Sequence, residues 1–256
     1  MAVELAATEI GGGRPLLILH GLFGSGRNWT TIAKRLAERA RVFTLDARNH
    51  GNSPWADSMT YPEMAEDVRA FIVAKGLVPA AVMGHSMGGK ILMHLALEHP
   101  EMVDRLVVVD MAPVAYGHTQ LPYVRAMKAV DLSRVSRRGD VDAALAASVP
   151  EVGIRAFLLQ NLVQEDRRWA WRINLDVIER DMAAIMDFPM PGGMRPFDKP
   201  ALFLAGAKAD YIRPEHHERI RALFPQAVIE MVPDAGHWVH AEKPSVVVER
   251  TTAFLG

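Results

Sequence analysis

The 256-residue sequence contains no cysteine. A disulfide framework, a thiolate metal site and a cysteine nucleophile are therefore all excluded. It also lacks any apolar run near the roughly 20 residues that a membrane-spanning helix needs. The N-terminal residues have neither the basic start nor the long apolar core of a signal peptide. These absences predict a cytoplasmic protein with no membrane partner.

No charge of either sign predominates. The chain carries 29 Lys and Arg residues against 30 Asp and Glu residues, a formal net charge of -1 at pH 7. This balance gives no electrostatic reason to expect binding to nucleic acid or to an anionic membrane. With 50% hydrophobic and 23% charged residues, the composition is ordinary for a globular protein. The length suits one large α/β domain.

Short apolar runs alternate with helical patterns through the first 113 residues. Near-continuous aliphatic and β-branched runs predict strands that are buried on both faces, which is typical of a parallel sheet covered by helices. The predicted strands cover residues 16–20, 41–46, 80–83 and 106–110. The predicted helices between them cover residues 29–39, 61–75 and 87–99.

This alternation stops after Pro113 and returns near the C-terminus. Residues 116 to about 196 show only helical patterns and end in Pro189-Met190-Pro191-Gly192-Gly193, and strands are predicted again at 201–205 and 227–232. We therefore expect a core formed by residues 1–113 and 197–256, with residues 114–196 inserted as a helical cap. Ligands bind at the carboxyl ends of the strands in open α/β sheets, so the cap is expected to cover that edge.

Ser86 is the candidate nucleophile. It lies in Gly84-His85-Ser86-Met87-Gly88, between a predicted strand and a predicted helix, where the pattern G-x-S-x-G forms a nucleophile elbow. A side chain at Gly84 or Gly88 would collide with the tight turn that such a serine requires. The hydroxyl is then expected to project from the sheet at the positive end of a helix dipole.

His237 is the candidate base. Most of the ten histidines fall in predicted helices or turns, whereas His237 follows the last predicted strand, in Asp234-Ala235-Gly236-His237-Trp238. A histidine that follows both the serine and the acid along the chain is the order typical of a nucleophile elbow. An imidazole with a pKa near its ordinary value of about 6.5 can accept the serine proton at neutral pH.

Two aspartates are candidates for the acid that orients His237. Asp110 closes the strand predicted after the nucleophile helix, and Asp210 follows the strand predicted at 201–205. Both positions can approach the loop of His237, so the residues alone leave both open.

Backbone amides are expected to bind the oxyanion that forms during acyl transfer. One belongs to Met87, directly after the nucleophile, and the other to Leu22, in the loop after the first predicted strand. Apolar residues beside these loops and in the cap are the candidates for substrate binding. They are Phe23, Phe157, Met182, Met186 and Trp238.

Five motifs along the chain carry a family resemblance. They are His20-Gly21-Leu22-Phe23-Gly24-Ser25, Asp46-Ala47-Arg48-Asn49-His50-Gly51-Asn52-Ser53, Gly84-His85-Ser86-Met87-Gly88-Gly89-Lys90, Asp110-Met111-Ala112-Pro113 and Gly236-His237-Trp238-Val239-His240-Ala241-Glu242-Lys243-Pro244. Through them the chain resembles the α/β-hydrolase superfamily over essentially its whole length, in particular its small single-domain carboxylesterase and thioesterase branch. The resemblance implies an eight-stranded, mostly parallel sheet with helices on both faces, a helical cap inserted after the strand ending at Asp110, an acyl-serine intermediate, and neither cofactor nor metal. It implies a structural role for the turn of residues 46–53.

The resemblance also separates the two aspartates. Most members of the superfamily place the acid three residues after a glycine, and here that position is Ala209, with Asp210 one residue beyond. The branch that this chain resembles takes the acid instead from the strand after the nucleophile helix, which corresponds to Asp110. We therefore favour Asp110 and keep Asp210 as the alternative.

The expected function is hydrolysis of small-molecule carboxylic esters with short-to-medium acyl chains, with thioesters as a close variant. A C–C bond hydrolase or a lyase could use the same three residues. A ligand-binding receptor on the same fold is an alternative of a different class, because a fold does not by itself fix a function. The apparently complete set of serine, histidine and acid favours the enzyme. The sequence indicates no particular oligomeric state.

Overall fold

The computed structural model describes residues 1–190 and 194–256. The end of the predicted cap, Pro191-Gly192-Gly193, lies outside the described residues. The strands are β1 (Ala7–Gly11), β2 (Pro15–Leu19), β3 (Arg41–Leu45), β4 (Ala80–His85), β5 (Val103–Val109), β6 (Leu162–Glu165), β7 (Arg168–Trp171), β8 (Ala201–Gly206) and β9 (Ala227–Val232). The helices are α1 (Thr30–Leu36), α2 (Tyr61–Ala74), α3 (Met87–Glu98), α4 (Leu121–Lys128), α5 (Arg138–Leu145), α6 (Val152–Leu158), α7 (Leu175–Met186), α8 (His217–Leu223), α9 (Val239–Glu242) and α10 (Pro244–Leu255).

Within the part of the chain that the structure describes, seven strands form the main sheet, in the order β1-β3-β2-β4-β5-β8-β9. β1 pairs with β3 in the antiparallel direction, and the other neighbours are parallel. The α/β fold with a mostly parallel sheet is thus confirmed, but the expected count of eight strands is wrong. In the segment before β1, the amides of Val3 and Ala6 donate to the side chains of Asp67 and Ser53.

The apolar runs that predicted the central strands are buried on both faces of this sheet. β4 is buried along its whole length, and residues 106–109 of β5 are 0% exposed. One face packs against α2 and α3, and the other packs against α1 and α10. The central strands therefore end at a rigid edge, which is a suitable place for residues that must keep a fixed geometry.

The segment between β5 and β8 contains a hairpin as well as helices, so the expectation of helical structure alone is wrong. β6 pairs with β7 in the antiparallel direction. The connecting residues Asp166 and Arg167 have φ angles of 47° and 66°, the two positive values that a type I′ turn requires. The two strands have only four residues each and carry no long apolar run, which hid the hairpin, and the preceding helix α6 ends at Leu158.

The inserted segment leaves and rejoins the sheet at neighbouring strands, because β5 pairs directly with β8. Its longest helix, α7, is tied to the core at the C-terminal end. The hydroxyl of Tyr61 donates to the carbonyl of Ile185 at 2.6 Å, and Lys90 Nζ donates to the carbonyls of Met186 and Asp187 at 3.0 and 2.8 Å. Among the helices described here, none combines the length and apolar character needed to cross a bilayer.

Candidate active site

Ser86 occupies a strained turn between β4 and α3. Its φ and ψ angles are 53° and -120°, a conformation that residues with a side chain rarely adopt. A Cβ atom at Gly88 would lie 2.5 Å from the carbonyl oxygen of His20, and one at Gly84 would collide with the backbone of Gly88. The two glycines therefore allow the close approach that holds Ser86 at the edge of the sheet.

The structure brings Ser86, His237 and Asp110 into one hydrogen-bonded chain. His237 Nε2 lies 3.1 Å from Ser86 Oγ, and His237 Nδ1 lies 2.8 Å from Asp110 Oδ2. The other carboxylate oxygen, Oδ1, accepts a hydrogen bond from the amide of Gly206 at 2.9 Å. Since a carboxylate can only accept, Nδ1 carries the imidazole proton and Nε2 is left free to accept from the serine.

Two aromatic neighbours that sequence reasoning missed fix the imidazole of His237. The ring of Tyr211 stacks on it at a centroid distance of 3.7 Å and an interplanar angle of 18°. His85 Nε2 lies 2.8 Å from the backbone carbonyl of His237. His85 directly precedes Ser86 in the elbow motif, which is a signal for a role near the base; Tyr211 belongs to no motif.

Asp210 lies elsewhere. Its side chain is exposed in the loop after β8, and its backbone carbonyl accepts a hydrogen bond from Arg213 Nε at 3.1 Å. The position facing His237 Nδ1 is taken by Asp110. The geometry therefore supports Asp110, and not Asp210, as the acid.

Burial controls the charge of this pair. Asp110 is 0% exposed, and burial raises the pKa of its carboxyl to about 7, against the opposing hydrogen bond from Gly206. Burial also lowers the pKa of the His237 imidazole to about 3. Both shifts have the same physical cause, the cost of moving a charge away from water. His237 is consequently neutral at neutral pH, as a base must be.

Leu22 and Met87 both line the cavity above Ser86. Met87 is the first residue of α3, so its amide has no partner within the helix. The loop of Leu22 passes directly beside the serine, because a Cβ atom at Gly21 would lie 3.1 Å from Ser86 Cβ. The next amide, of Phe23, is already bonded to His50 Nε2 at 3.3 Å, which favours Leu22 as the second oxyanion donor.

The cavity above Ser86 has a volume of about 90 Å³. Four of the five predicted substrate-binding residues line it: Phe23, Phe157, Met186 and Trp238. The prediction of Met182 is wrong, because this side chain is not among those that line the cavity and packs in the hydrophobic core under α7. Helical periodicity identified the apolar face of α7 but could not separate the part that faces the core from the part that faces the cavity.

Sequence reasoning also missed a buried cation and several tyrosines in the cavity wall. Lys90, one turn after Ser86 on α3, lines it together with Tyr61, Tyr116 and Tyr123. Burial lowers the pKa of Lys90 to about 7. Its position in Gly84–Lys90 was a signal for a role near the nucleophile. In residues 1–190 and 194–256, no group of three or more His, Asp or Glu side chains is placed to hold a metal ion.

A serine on a strand-to-helix turn, with its histidine and acid on loops at the same sheet edge, is the arrangement that defines α/β-hydrolase-fold serine hydrolases. This chain belongs to that family. A family model described as "alpha/beta hydrolase fold" matches residues 14–131.

Characterised relatives point to esterases and lipases. The chain is 45% identical over 248 residues to the sn-1-specific diacylglycerol lipase ABHD11 of Mus musculus, covering 94% of this chain and 80% of that protein. It is 34% identical over 244 residues to esterase YbfF of Escherichia coli (strain K12), covering 94% and 92%. A solved structure entitled "Marine microorganism esterase" superposes with a TM-score of 0.95 and 38% identity, over 99% of this chain and 100% of that one. The chain is therefore a hydrolase of the esterase and lipase class, and the receptor alternative is wrong.

Proposed function

We propose that this protein hydrolyses carboxylic esters of short-to-medium acyl chain length through an acyl intermediate on Ser86. The observation that carries the proposal is the continuous set of contacts from Ser86 Oγ to His237 Nε2, 3.1 Å, and from His237 Nδ1 to Asp110 Oδ2, 2.8 Å. When the Asp110 carboxyl is ionised it accepts from His237 Nδ1, which leaves Nε2 free to act as the general base.

In the first half of the reaction Ser86 Oγ attacks the ester carbonyl while its proton moves to His237 Nε2. The carbonyl oxygen becomes an oxyanion in the tetrahedral intermediate. The intermediate collapses when the C–O bond to the alcohol breaks, and His237 gives its proton to the departing oxygen. In the second half a water molecule repeats the attack on the acyl-serine, with His237 again as base, and releases the carboxylic acid.

The amides of Leu22 and Met87 are the proposed donors to the oxyanion. Both residues line the cavity on the side of Ser86; Met87 is at the first position of α3, and within residues 1–190 and 194–256 no backbone partner is found for the Leu22 amide. A fixed donor of this kind contributes a factor of about 10² to 10³ in turnover. Asp110 supports the imidazolium that His237 forms during each half of the reaction.

The size and walls of the cavity support short acyl chains. The cavity volume of about 90 Å³ limits how many acyl carbons can be buried beside Ser86. Phe157, Met186 and Trp238 provide an apolar wall, against which each buried methylene contributes about 0.8 kcal/mol until the space is full. The mouse relative is named for its action on diacylglycerol, whereas the proposal for this chain concerns shorter acyl groups.

A panel of p-nitrophenyl esters from acetate to palmitate tests the proposal. We expect kcat/KM to rise over the shortest chains, reach a maximum at short-to-medium length, and fall for the longest chains. A parallel panel of thioesters measures the close variant. A steady increase up to palmitate would contradict an acyl site of limited length. Absence of hydrolysis for every ester, with Ser86 still reactive towards a fluorophosphonate, would favour a C–C bond hydrolase or a lyase.

A further inference from the structure

Phe23 has an unusual backbone conformation beside the proposed oxyanion site. The amide of Gly24 donates to the carbonyl of Gly21 at 2.9 Å, which makes residues 21–24 a β-turn with Leu22 and Phe23 at its centre. Phe23 has a φ angle of 64°. A positive φ at the second central position is the requirement of a type II turn, where glycine or asparagine is the usual residue. A phenylalanine here needs support from its surroundings.

Two buried side chains hold both polar backbone groups of Phe23. Its amide donates to His50 Nε2 at 3.3 Å, and its carbonyl accepts from Asn161 Nδ2 at 2.8 Å. His50 is 0% exposed and Asn161 is 4% exposed. His50 Nδ1 lies 3.0 Å from the carbonyl of Arg48; a carbonyl can only accept, so Nδ1 carries the proton and Nε2 is free to accept.

The two side chains come from different segments of the chain. His50 belongs to the core turn of residues 46–53, to which the sequence analysis assigned only structure, whereas Asn161 belongs to the segment inserted between β5 and β8. The residue before Asn161 makes a second contact with the same loop, because Asn28 Nδ2 donates to Gln160 Oε1 at 2.6 Å. Two consecutive residues of the inserted segment therefore hold the loop that carries Leu22.

We propose that Asn161, acting with His50, is a positioning residue that holds the Leu22 amide in place for the oxyanion. The oxyanion hole is then complete only when the inserted segment is packed against the core. This inference rests on the proposed function. If Phe23 relaxed to a negative φ, the peptide between Leu22 and Phe23 would turn over, and its amide would leave His50. The neighbouring amide of Leu22 would then lose its fixed direction.

The expected effect falls on the transition state and not on substrate binding. The oxyanion exists only after Ser86 attacks, so a displaced donor lowers kcat and leaves KM nearly unchanged. Complete removal of a donor costs a factor of about 10² to 10³. Loss of one of the two bonds that hold Phe23 leaves the donor present but less well directed, so we expect kcat to fall by about 10-fold to 100-fold.

Asn161→Ala is the test variant, and Asn174→Ala is its matched control. Asn174 is also a buried asparagine of the inserted segment that ties it to the core: its Nδ2 donates to Asn49 Oδ1 at 3.1 Å, and its Oδ1 accepts from the amide of Val177 at 3.3 Å. It makes no hydrogen bond to residues 21–24 among those described. A loss that reflects only a loosened cap should appear in both variants.

The readout is the affinity for a trifluoromethyl ketone, which adds to the serine and presents an oxyanion, measured beside kcat, KM and thermal unfolding. We expect Asn161→Ala to lose ketone affinity and kcat by the same factor, and Asn174→Ala to lose thermal stability with ketone affinity unchanged. Asn161→Asp, an isosteric variant without the donor, serves if the alanine variant does not fold. Equal loss of ketone affinity in Asn161 and Asn174 variants, or full affinity in Asn161→Ala, would overturn the inference. Failure of the proposed function would be seen separately, as a wild-type protein that does not bind the ketone at Ser86.

Discussion

Replacement of Asp110 by asparagine changes the chemistry of the site without changing its shape. In the Asp110→Asn variant the side-chain amide oxygen can still accept the Gly206 amide, which in the wild type lies 2.9 Å from Oδ1. The new NH2 group then faces His237 Nδ1, at a position occupied in the wild type by Oδ2 at 2.8 Å. His237 must accept at Nδ1, so its proton moves to Nε2, opposite Ser86 Oγ. In that tautomer the imidazole cannot take the serine proton.

The expected loss is a factor of about 10⁴ in kcat, the magnitude found when the wrong tautomer is enforced in such a triad. This factor corresponds to about 5.4 kcal/mol of transition-state stabilisation, at about 1.36 kcal/mol for each factor of ten. The protein should stay folded, because Asp110 is fully buried and the change removes a charge whose burial is unfavourable. Thermal unfolding of the variant checks this point.

Asp210→Asn is the matched control, since it makes the same substitution at the exposed alternative acid. Steady-state hydrolysis of a short p-nitrophenyl ester gives kcat/KM for both variants and for the wild type. We expect Asp210→Asn to hydrolyse the ester at the wild-type rate. The reverse ranking, or an Asp110→Asn variant that keeps most of its activity while folded, would refute the assignment of the acid.

Burial and packing lead to three further predictions. Asp110 and His237 take up their first shared proton at the higher of their two pKa values, about 7. Whether that proton lies on the carboxyl or on the imidazole, Nε2 is protonated and cannot act as base, so kcat/KM should fall about tenfold per pH unit below this value. A rate that stays flat to about pH 4 would show that no such pair acts. Gly88→Ala should lower the free energy of unfolding in urea by at least about 1 to 3 kcal/mol, because a Cβ atom there would lie 2.5 Å from a backbone oxygen. Gly139→Ala is the control: a Cβ atom there would meet nothing within 4 Å, so the change should be neutral or stabilising by up to about 1 kcal/mol. Equal effects of the two substitutions would contradict the packing at the elbow. Burial lowers the pKa of His50 to about 3 and of His94 to about 4, whereas both are near 6.5 in the unfolded state, which therefore binds more protons below that pH. Each histidine should then reduce the free energy of unfolding by about 1.4 kcal/mol for each pH unit below about 6.5, down to its folded-state pKa. An unchanged urea midpoint between about pH 7.5 and about pH 5.5 would contradict this.

Burial explains which strands could be predicted from the sequence. The central strands are apolar along their length because both faces are covered, so each stands out as a run such as Leu106–Val109. β1 is largely exposed, and the strands of the β6–β7 hairpin have only four residues each and are only partly buried, so neither carries a long apolar run. The expected eighth strand came from the family resemblance and not from an apolar run, and the described residues form a main sheet of seven strands.

The candidate site was predictable where a local motif carries the chemistry. Ser86 and His237 stand in short patterns whose spacing follows from the turn that they form. Asn161 contacts Phe23 and Tyr211 contacts His237. Each pair is far apart along the chain, and neither Asn161 nor Tyr211 stands in a motif, so these contacts could not be predicted from the sequence. Met186 and Met182 lie one turn apart on α7, and only the packing of the cap separates the cavity wall from the core.

Labelling with a fluorophosphonate, followed by mass spectrometry of the labelled peptide, tests the central claim most directly. The reagent reacts covalently with a serine that a neighbouring base has activated. We predict one label per chain, on Ser86, absent in Ser86→Ala and strongly slowed in Asp110→Asn. A label on another residue, or a folded Ser86→Ala protein that hydrolyses esters at the wild-type rate, would contradict the account.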